Sequence, residues 1–254
     1  MTILCVPYHL DDHLPAFRLP LPAGAVTVHP DLPDADRWVR MAALHEEVAD
    51  RVADQVWVGR VPTVLSGDCM VALGTAAGVQ RAGVDPAVVW FDAHGDVQTM
   101  ETSDSGYEGG IPLRVLAGYR PDPATDRLGL RDIAEERLLL VDGRDLDPPE
   151  EEYLRTSAIR QSKVTDIEPG TLPEGPLLLH VDLDVIDAAE APGLLFPTHG
   201  GPRAGEVFSA VRTILDTGRV VALSVGCTWR ADEELDADGG VRARLLTELL
   251  ANIS

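Results

Sequence analysis

The chain has 254 residues, of which 45% are hydrophobic and 25% are charged, and this is the composition of an ordinary globular protein with enough length for a substantial buried core. Its 42 aspartates and glutamates outnumber its 21 lysines and arginines, and the formal net charge is -21. Nucleic acids and anionic membrane surfaces bind positively charged faces, so this balance argues against both as partners.

Apolar runs of strand length alternate along the chain with longer segments of helical periodicity. In chain order, the predicted elements are the strand Ile3–Val6, the helix Asp36–Val56, the strand Thr63–Leu65, the helix Met70–Gln80, the strand Ala87–Phe91, the helix Pro112–Ala117, the strand Leu138–Val141, the helix Glu150–Ser157, the strand Leu177–Val181, the helix Ala204–Leu215, the strand Val220–Val225 and the helix Val241–Ile253. This alternation predicts a three-layer α/β/α fold, with a mostly parallel sheet and helices on both faces. Because no repeat or long linker interrupts the pattern, residues 1–254 are predicted to form a single domain.

The cysteines and the hydropathy profile indicate the cellular compartment of the protein. Cys5, Cys69 and Cys227 are odd in number and far apart, so we expect no disulfide framework and a reducing environment. The N-terminus lacks the basic start and long apolar region of a signal peptide, and no later segment has the apolar length of a transmembrane helix. We therefore expect a soluble, cytoplasmic protein.

Residues 88–96 read Val-Val-Trp-Phe-Asp-Ala-His-Gly-Asp, an apolar strand that ends in an Asp-x-His-x-Asp pattern. Ligands bind at the carboxyl ends of parallel strands, so Asp92, His94 and Asp96 are expected at the rim of a site. If the extended backbone continued past the strand, the three side chains would also share one side.

A second apolar run, residues 177–184, ends in Asp182 and Asp184. If the two runs are neighbouring strands, four carboxylates and one imidazole meet in a small volume, where unneutralised charges are costly. Either pattern alone is also common in turns and helix caps, but the pair indicates bound cations. Oxygen ligands with one or two nitrogens favour a hard or borderline ion such as Mn²⁺.

Both segments resemble the metal motifs of the ureohydrolases, the family of arginases, agmatinases, formiminoglutamases and guanidino-acid hydrolases, and the resemblance runs along nearly the whole chain. It implies an arginase-like fold and two Mn²⁺ ions per subunit, with Asp92 and Asp182 bridging them. Asp96 would bind the first ion, and His94 and Asp184 would bind the second. It further implies a homo-oligomer, either a trimer or a hexamer.

The resemblance also implies a reaction. A hydroxide shared by the two ions would attack the carbon of a guanidino or N-hydroxyguanidino amino acid and break a C–N bond. Asp96 would take the proton of the nucleophile and pass it to the leaving nitrogen, which makes Asp96 a catalytic residue as well as a ligand. Residues 143–150 resemble the arginase segment whose acids receive the substrate's α-amino group, so Asp147 and Glu150 are predicted to bind substrate. Their alternative role is that of a helix N-terminal turn.

Three departures from the family pattern concern the chemistry. Cys69 stands in place of a histidine ligand, as in similar N-hydroxyarginine hydrolases, and its thiolate makes Zn²⁺ an alternative to Mn²⁺. Gly109 lies in the substrate-binding loop where arginases hold a histidine, and the adjacent Glu108 is the ionisable candidate for that catalytic role. Cys227 is the nearest counterpart of a glutamate that pairs with the guanidinium.

These departures leave alternatives open. Glu233 or Glu234 could fold back to supply the missing carboxylate. A neutral amide or formimino substrate would not need that carboxylate, because no cationic group would have to be paired. A diverged family member that only binds a ligand or serves as a partner subunit is the third possibility.

Overall fold

The computed structural model describes residues 2–15, 21–229 and 240–253, and its centre is an eight-stranded sheet. The strands are β1 (Thr2–Val6), β2 (Tyr8–His9), β3 (Asp12–His13), β4 (Val26–Thr27), β5 (Pro62–Ser66), β6 (Ala87–Asp92), β7 (Leu138–Asp142), β8 (Arg160–Ser162), β9 (Leu177–Asp182) and β10 (Val220–Gly226). The order in the sheet is β4-β1-β5-β10-β9-β6-β7-β8, and each pair of neighbouring strands in this order runs parallel. The short strands β2 and β3 form a separate antiparallel pair.

Helices connect the parallel strands. They are α1 (Arg37–Trp57), α2 (Val71–Arg81), α3 (Pro112–Leu116), α4 (Pro148–Thr156), α5 (Ala204–Leu215) and α6 (Val241–Asn252). Asp36 begins α1 because its carboxylate accepts a hydrogen bond from the Val39 amide at 3.0 Å, which satisfies an otherwise free helix N–H group. No helix in the described ranges is long and apolar enough to cross a membrane.

Two apolar cores lie on opposite faces of the sheet, as alternation along the strands requires. On β6, Val88 and Trp90 pack into the core beneath α1 and α2, whereas Val89 and Phe91 pack into the core beneath α5 and α6. The strands are therefore buried on both sides. The predicted three-layer α/β/α fold with a mostly parallel sheet is confirmed.

The structure differs from the sequence prediction mainly at the ends of elements. Strands β6 and β9 each include one more residue than predicted, Asp92 and Asp182, because the backbone ladder continues after the apolar run stops. Helix α4 begins two residues earlier than predicted, at Pro148, where proline suits the first turn. The sequence analysis missed β4 and β8, which are edge strands of only two and three residues.

The strand order places the carboxyl ends of four strands around one point. β5 and β6 follow each other in the chain but are separated in the sheet by β10 and β9. At such a change in strand order, the loops leave on opposite sides of the sheet and open a crevice. The segments that follow β5, β6, β9 and β10 line this crevice.

Candidate metal centre

The two predicted motifs meet at this crevice because β6 and β9 are neighbours, paired from Ala87 with Leu177 to Phe91 with Val181. The side chains of Asp92 and Asp182 line one cavity of about 180 Å³. Both aspartates are nearly inaccessible, with 1% and 3% of their surface exposed. The condition on which the predicted metal site depends, a common cavity for these two acids, is thus met by the geometry.

One side of the cavity floor, which we call the His94 side, consists of Asp92, His94 and Asp184. His94 Nδ1 lies 3.3 Å from Asp92 Oδ1 and 3.1 Å from Asp184 Oδ2. Burial opposes a positive charge on this imidazole, but hydrogen bonds to Asp184 and Asp92 raise the pKa of His94 to about 12. The ligand atoms of His94 and of these two carboxylates thus lie close enough together to converge on one cation.

The opposite side, the Cys69 side, consists of Cys69 and Asp182, which line the cavity, and of His180, which contacts Cys69 but does not itself line the cavity. The Cys69 thiol donates to Asp182 Oδ2 at 2.8 Å, and His180 Nε2 lies 3.3 Å from Cys69 Sγ. Burial and the nearby Asp182 raise the pKa of the Cys69 thiol well above its usual value. Gly226 leaves room for this arrangement, since a Cβ there would lie 3.0 Å from both Cys69 Sγ and an Asp182 oxygen.

Asp96 reaches the same cavity by a route that the sequence analysis did not foresee. The strand ends at Asp92, and the backbone of Asp96 is left-handed with φ of 54°, so the expected extension through the motif is wrong. This conformation disfavours residues other than glycine, although aspartate tolerates it better than most. Asp96 is 5% exposed and its Oδ2 has no hydrogen-bond partner among the described atoms.

The floor therefore holds more negative charge than the surrounding protein groups neutralise. Burial, followed by repulsion from neighbouring acids, raises the pKa of Asp182 and of Asp96 well above the usual range, and raises that of Asp184 to about 7. Two sets of ligand atoms, those of Cys69, Asp92 and His180 and those of Asp92, His94 and Asp184, lie within 4.8 Å of one another. Oxygen, nitrogen and sulfur donors at this spacing, with one buried oxygen unpaired, fit divalent cations.

The arginase family model matches residues 16–228 of this chain. The chain belongs to the arginase family. The arginase of Bacillus caldovelox is 35% identical over 176 residues, a match that covers 63% of this chain and 58% of that relative's length. The arginase of Coccidioides posadasii is 30% identical over 224 residues, covering 80% of this chain and 70% of its own.

Solved structures of the arginase family share the fold across the whole chain. The Bacillus caldovelox arginase superposes with a TM-score of 0.79 at 24% identity and covers 99% of this chain and 97% of its own. The Entamoeba histolytica arginase in complex with L-ornithine superposes with a TM-score of 0.81 at 18% identity, covering 99% and 96%. At these identities the likeness establishes the fold, which agrees with the predicted arginase-like architecture.

Two residues predicted from the arginase family pattern to be catalytic lie elsewhere. The Glu108 carboxylate accepts from Arg37 Nη1 at 3.1 and 3.3 Å and does not line the cavity. Cys227 is 1% exposed and packs in the core beneath α5 and α6, because side chains alternate along the end of β10 and its neighbour Thr228 takes the position facing the cavity. The structure therefore brings neither side chain to the cavity. Glu233 and Glu234 lie outside the described residues.

The predicted substrate-binding residues have different surroundings. Asp147 lines the cavity and accepts a hydrogen bond from Gln98 Nε2 at 3.0 Å. Glu150 also borders the cavity, but its oxygens accept from the backbone amides of Val97 at 3.2 Å and Asp147 at 3.1 Å. Glu150 therefore holds the loop after β6 against the start of α4, which is the alternative role considered for it.

Gly109 lies against the ring of Tyr107, which leaves no room for a side chain at position 109. A Cβ at this position would lie 2.2 Å from the Tyr107 ring, which fills the space that a side chain at 109 would otherwise occupy. Tyr107 lines the cavity, and its hydroxyl lies 3.3 Å from His9 Nε2. The Tyr107 ring thus forms the part of the cavity wall beside Gly109.

Several residues that line the cavity were not predicted from the sequence, among them Tyr107, Phe196 and Thr228. His180, which contacts Cys69, was not predicted either. Phe196 is 38% exposed, and its ring centroid lies 5.0 Å from that of Tyr107, so the two aromatic rings form an apolar edge of the cavity. Thr228 Oγ1 lies 3.5 Å from Asp182 Oδ2. His180 stands in an apolar run and carries no pattern of its own, although its position two residues before Asp182 places both on one face of β9.

Proposed function

We propose that the protein is a binuclear-metal hydrolase that cleaves a C–N bond of a guanidino or N-hydroxyguanidino amino acid. The single observation that carries this proposal is the convergence of Asp92, Asp182 and Asp184 with His94 on one buried cavity floor in a member of the arginase family. Buried carboxylates at this density need cations, and a cavity of about 180 Å³ admits a small substrate.

The described residues divide into two ligand sets. His94 and Asp184 would hold one ion, Cys69 and Asp96 the other, and Asp92 and Asp182 lie between them. Mn²⁺ is the ion we propose for the oxygen-rich ligands. When bound, a pair of such ions supplies an activated water near neutral pH and stabilises negative charge that develops on the substrate.

The remaining chemistry belongs to the side chains. Asp96 Oδ2, which has no partner, is placed to accept a proton from the attacking water and to deliver it to the leaving nitrogen. Asp147 precedes the first residue of α4 and is held by a hydrogen bond from Gln98. From there its carboxylate can accept hydrogen bonds from a substrate ammonium group. The rings of Tyr107 and Phe196 exclude water from the apolar part of the substrate.

A second candidate function is hydrolysis of a neutral amide or formimino compound. It is favoured by Thr228, the side chain that faces the cavity after β10, because this hydroxyl cannot pair with a guanidinium as a carboxylate would. The two candidates share the metal centre and the proton transfer by Asp96. They differ only in the charge of the group that is cleaved.

The test is a substrate panel on protein loaded with Mn²⁺. We expect release of urea or hydroxyurea together with ornithine from arginine or N-hydroxyarginine, and agmatine tests whether the α-carboxylate and α-amino groups matter. An amide and a formimino compound complete the panel and address the second candidate. If metal-loaded protein binds but turns over none of these compounds, the hydrolase proposal is wrong and a binding role replaces it.

We also propose that residues 1–254 act as a single catalytic domain in a trimeric or hexameric homo-oligomer. Light scattering on the metal-loaded protein tests the assembly directly. A monomer at the concentration used for the substrate panel would contradict it.

A further inference from the structure

His180 is a polar residue in a place where packing does not need one. It lies in the middle of the sheet, paired with Trp90 on β6 and Ser224 on β10, and its exposed fraction is 0%. An imidazole buried among apolar strands loses its hydration and must find partners. The residues before it in β9, Leu177 to Leu179, show that apolar side chains fit this strand.

The surroundings of His180 aim one nitrogen at the Cys69 side. Nε2 lies 3.3 Å from Cys69 Sγ, whereas the buried Nδ1 has no hydrogen-bond partner among the described atoms. The ring stacks on Trp90 with centroids 3.6 Å apart, and Trp90 Nε1 donates to Asp92 Oδ2 at 3.1 Å. Trp90 therefore fixes the orientation of both the imidazole and the carboxylate, as residues behind metal ligands do.

The three side chains offer donors of different kinds. Ligand atoms of Cys69, Asp92 and His180 lie within 4.8 Å of one another, and each residue is buried. Tetrahedral sulfur and nitrogen ligands of Zn²⁺, at about 2.3 and 2.0 Å from the ion, stand about 3.5 Å apart. The observed separation of Cys69 Sγ and His180 Nε2, 3.3 Å, is close to that value.

We propose that His180 Nε2, Cys69 Sγ and a carboxylate oxygen of Asp92 form a zinc-selective site on the Cys69 side. Sulfur with nitrogen favours Zn²⁺ over Mn²⁺, whereas the His94 side has only oxygen and nitrogen donors and keeps its preference for a harder ion. The protein therefore carries two different metals. This inference rests on the proposed metal centre, but it does not depend on which substrate is cleaved.

The experiment uses the full-length protein, stripped with a chelator and reloaded with Co²⁺, Zn²⁺ and Mn²⁺ separately and as mixtures. From one equivalent of Zn²⁺ with a large excess of Mn²⁺, we expect the Zn²⁺ on the Cys69 side and Mn²⁺ on the other. Co²⁺, which reports thiolate ligation by a charge-transfer absorption band, should show that band in the wild-type protein.

Two substitutions separate the ligands. His180→Phe keeps a ring against Trp90 but removes the nitrogen, and we expect zinc affinity to fall by about a hundredfold or more. Cys69→Ser should abolish the Co²⁺ charge-transfer band. His45→Phe is the matched control, because His45 is another buried histidine, 2% exposed on α1, that does not line the cavity. It should leave both the metal content and the Co²⁺ spectrum unchanged.

The outcomes distinguish this inference from the proposed function. Unchanged zinc affinity in a folded His180→Phe protein, judged by its retained Mn²⁺ and its circular dichroism, would overturn the inference even if guanidino compounds are hydrolysed. Loss of zinc in that variant upholds it even if no compound in the panel is turned over. If His180→Phe does not fold, an unaltered Co²⁺ spectrum in Cys69→Ser overturns the site, and loss of the band upholds thiolate ligation there.

Discussion

The two sides of the cavity floor share Asp92 as a neighbour but are built differently. On the His94 side, both carboxylates are already satisfied by an imidazole and by backbone amides, including that of Ala93, which donates to Asp184 at 3.2 Å. On the Cys69 side, a thiol and an imidazole with an unpaired nitrogen meet a carboxylate. The His94 side thus offers only oxygen and nitrogen donors, whereas the Cys69 side adds a sulfur.

This difference shows how a family motif can be kept while its chemistry changes. The residues of the His94 side belong to the two motifs that place the chain among the ureohydrolases. On the Cys69 side, Asp182 belongs to the second of these motifs, whereas Cys69 follows β5 and is brought to His180 on β9 by the strand order.

Asp96→Asn gives the largest expected effect, because it tests whether both sides serve one reaction. The amide keeps the shape and the tolerance for a left-handed backbone, but it cannot accept a proton. We expect kcat to fall by about 10²–10⁴-fold, the usual contribution of a positioned acid or base, while the protein stays folded. Steady-state kinetics with the best substrate of the panel provides the measurement. Turnover within a few-fold of the wild type would show that Asp96 transfers no proton.

Arg144→Gln tests whether the loops that support the His94 side can be destabilised without changing metal binding on the Cys69 side. The Arg144 guanidinium pairs with Asp142 and donates to the carbonyl oxygens of Asp184 at 3.2 Å, Val185 at 3.0 Å and Thr198 at 2.9 Å. Removing it takes the donor from a partly buried carboxylate and from the carbonyl groups of Asp184 and Val185, so we expect a loss of about 3 kcal/mol in the free energy of unfolding.

Urea denaturation measures that loss, and Mn²⁺ should bind more weakly while the Co²⁺ charge-transfer band persists. Arg155→Gln is the control, because Arg155 is exposed and pairs only with Glu152 on the same helix face. Equal destabilisation by both substitutions would remove any special role for Arg144. Loss of the Co²⁺ band in Arg144→Gln would show that the two sides are not independent.

The sequence predicted the ligand candidates at strand ends much better than the one inside a strand. Asp92, His94, Asp182 and Asp184 end apolar strands, and a carboxylate at a strand end is visible in a linear pattern. His180 is equally polar, but it lies inside an apolar run, where its neighbours in space come from β6, β10 and the turn after β5. Those contacts depend on the strand order, which no local pattern encodes.

Cys227 and Glu108 lie away from the cavity for one physical reason, the direction of a side chain at an element's end. At the end of β10, Thr228 lines the cavity and a Cβ on Gly226 would contact Cys69 and Asp182, whereas Cys227 packs in the opposite core. Cys227 is the residue nearest in sequence to the position of the family's glutamate, but its side chain lies on the other face of the sheet. In the loop before α3, Tyr107 fills the space beside Gly109 while Glu108 turns to Arg37. A one-residue change of phase moves a side chain to the other side of the backbone.

Removal of metal tests whether the buried acids on the two sides of the cavity floor need bound cations for stability. Ions that bind only the folded chain stabilise it by about 2.7 kcal/mol when their concentration is about 100 times Kd. For a chain of this size, we expect the chelated protein to melt roughly 5–10 °C lower. Scanning calorimetry with and without chelator measures this, and readdition of Zn²⁺ alone should recover part of the shift. An identical Tm in both states would mean that the acids coexist without cations.

The pH dependence of stability due to His45 is the smallest expected effect. It serves as the reference for a buried imidazole that binds no metal. Burial lowers the pKa of His45 to about 4 from 6.5, so the folded chain binds a proton less tightly than the unfolded chain does. Stability is therefore lost as the pH falls from about 6.5 towards 4, by about 2 kcal/mol between pH 7 and pH 5.

His45→Phe removes this titration, and the free energy of unfolding should then depend less steeply on pH across that interval. Urea denaturation at pH 7 and pH 5, repeated in chelator, provides the measurement. The difference between the variant and the wild type should be the same with and without metal, since His45 Nε2 contacts no ligand residue and has no partner among the described atoms. A metal-dependent difference would join His45 to the metal centre and remove it as the reference against which His180 is judged.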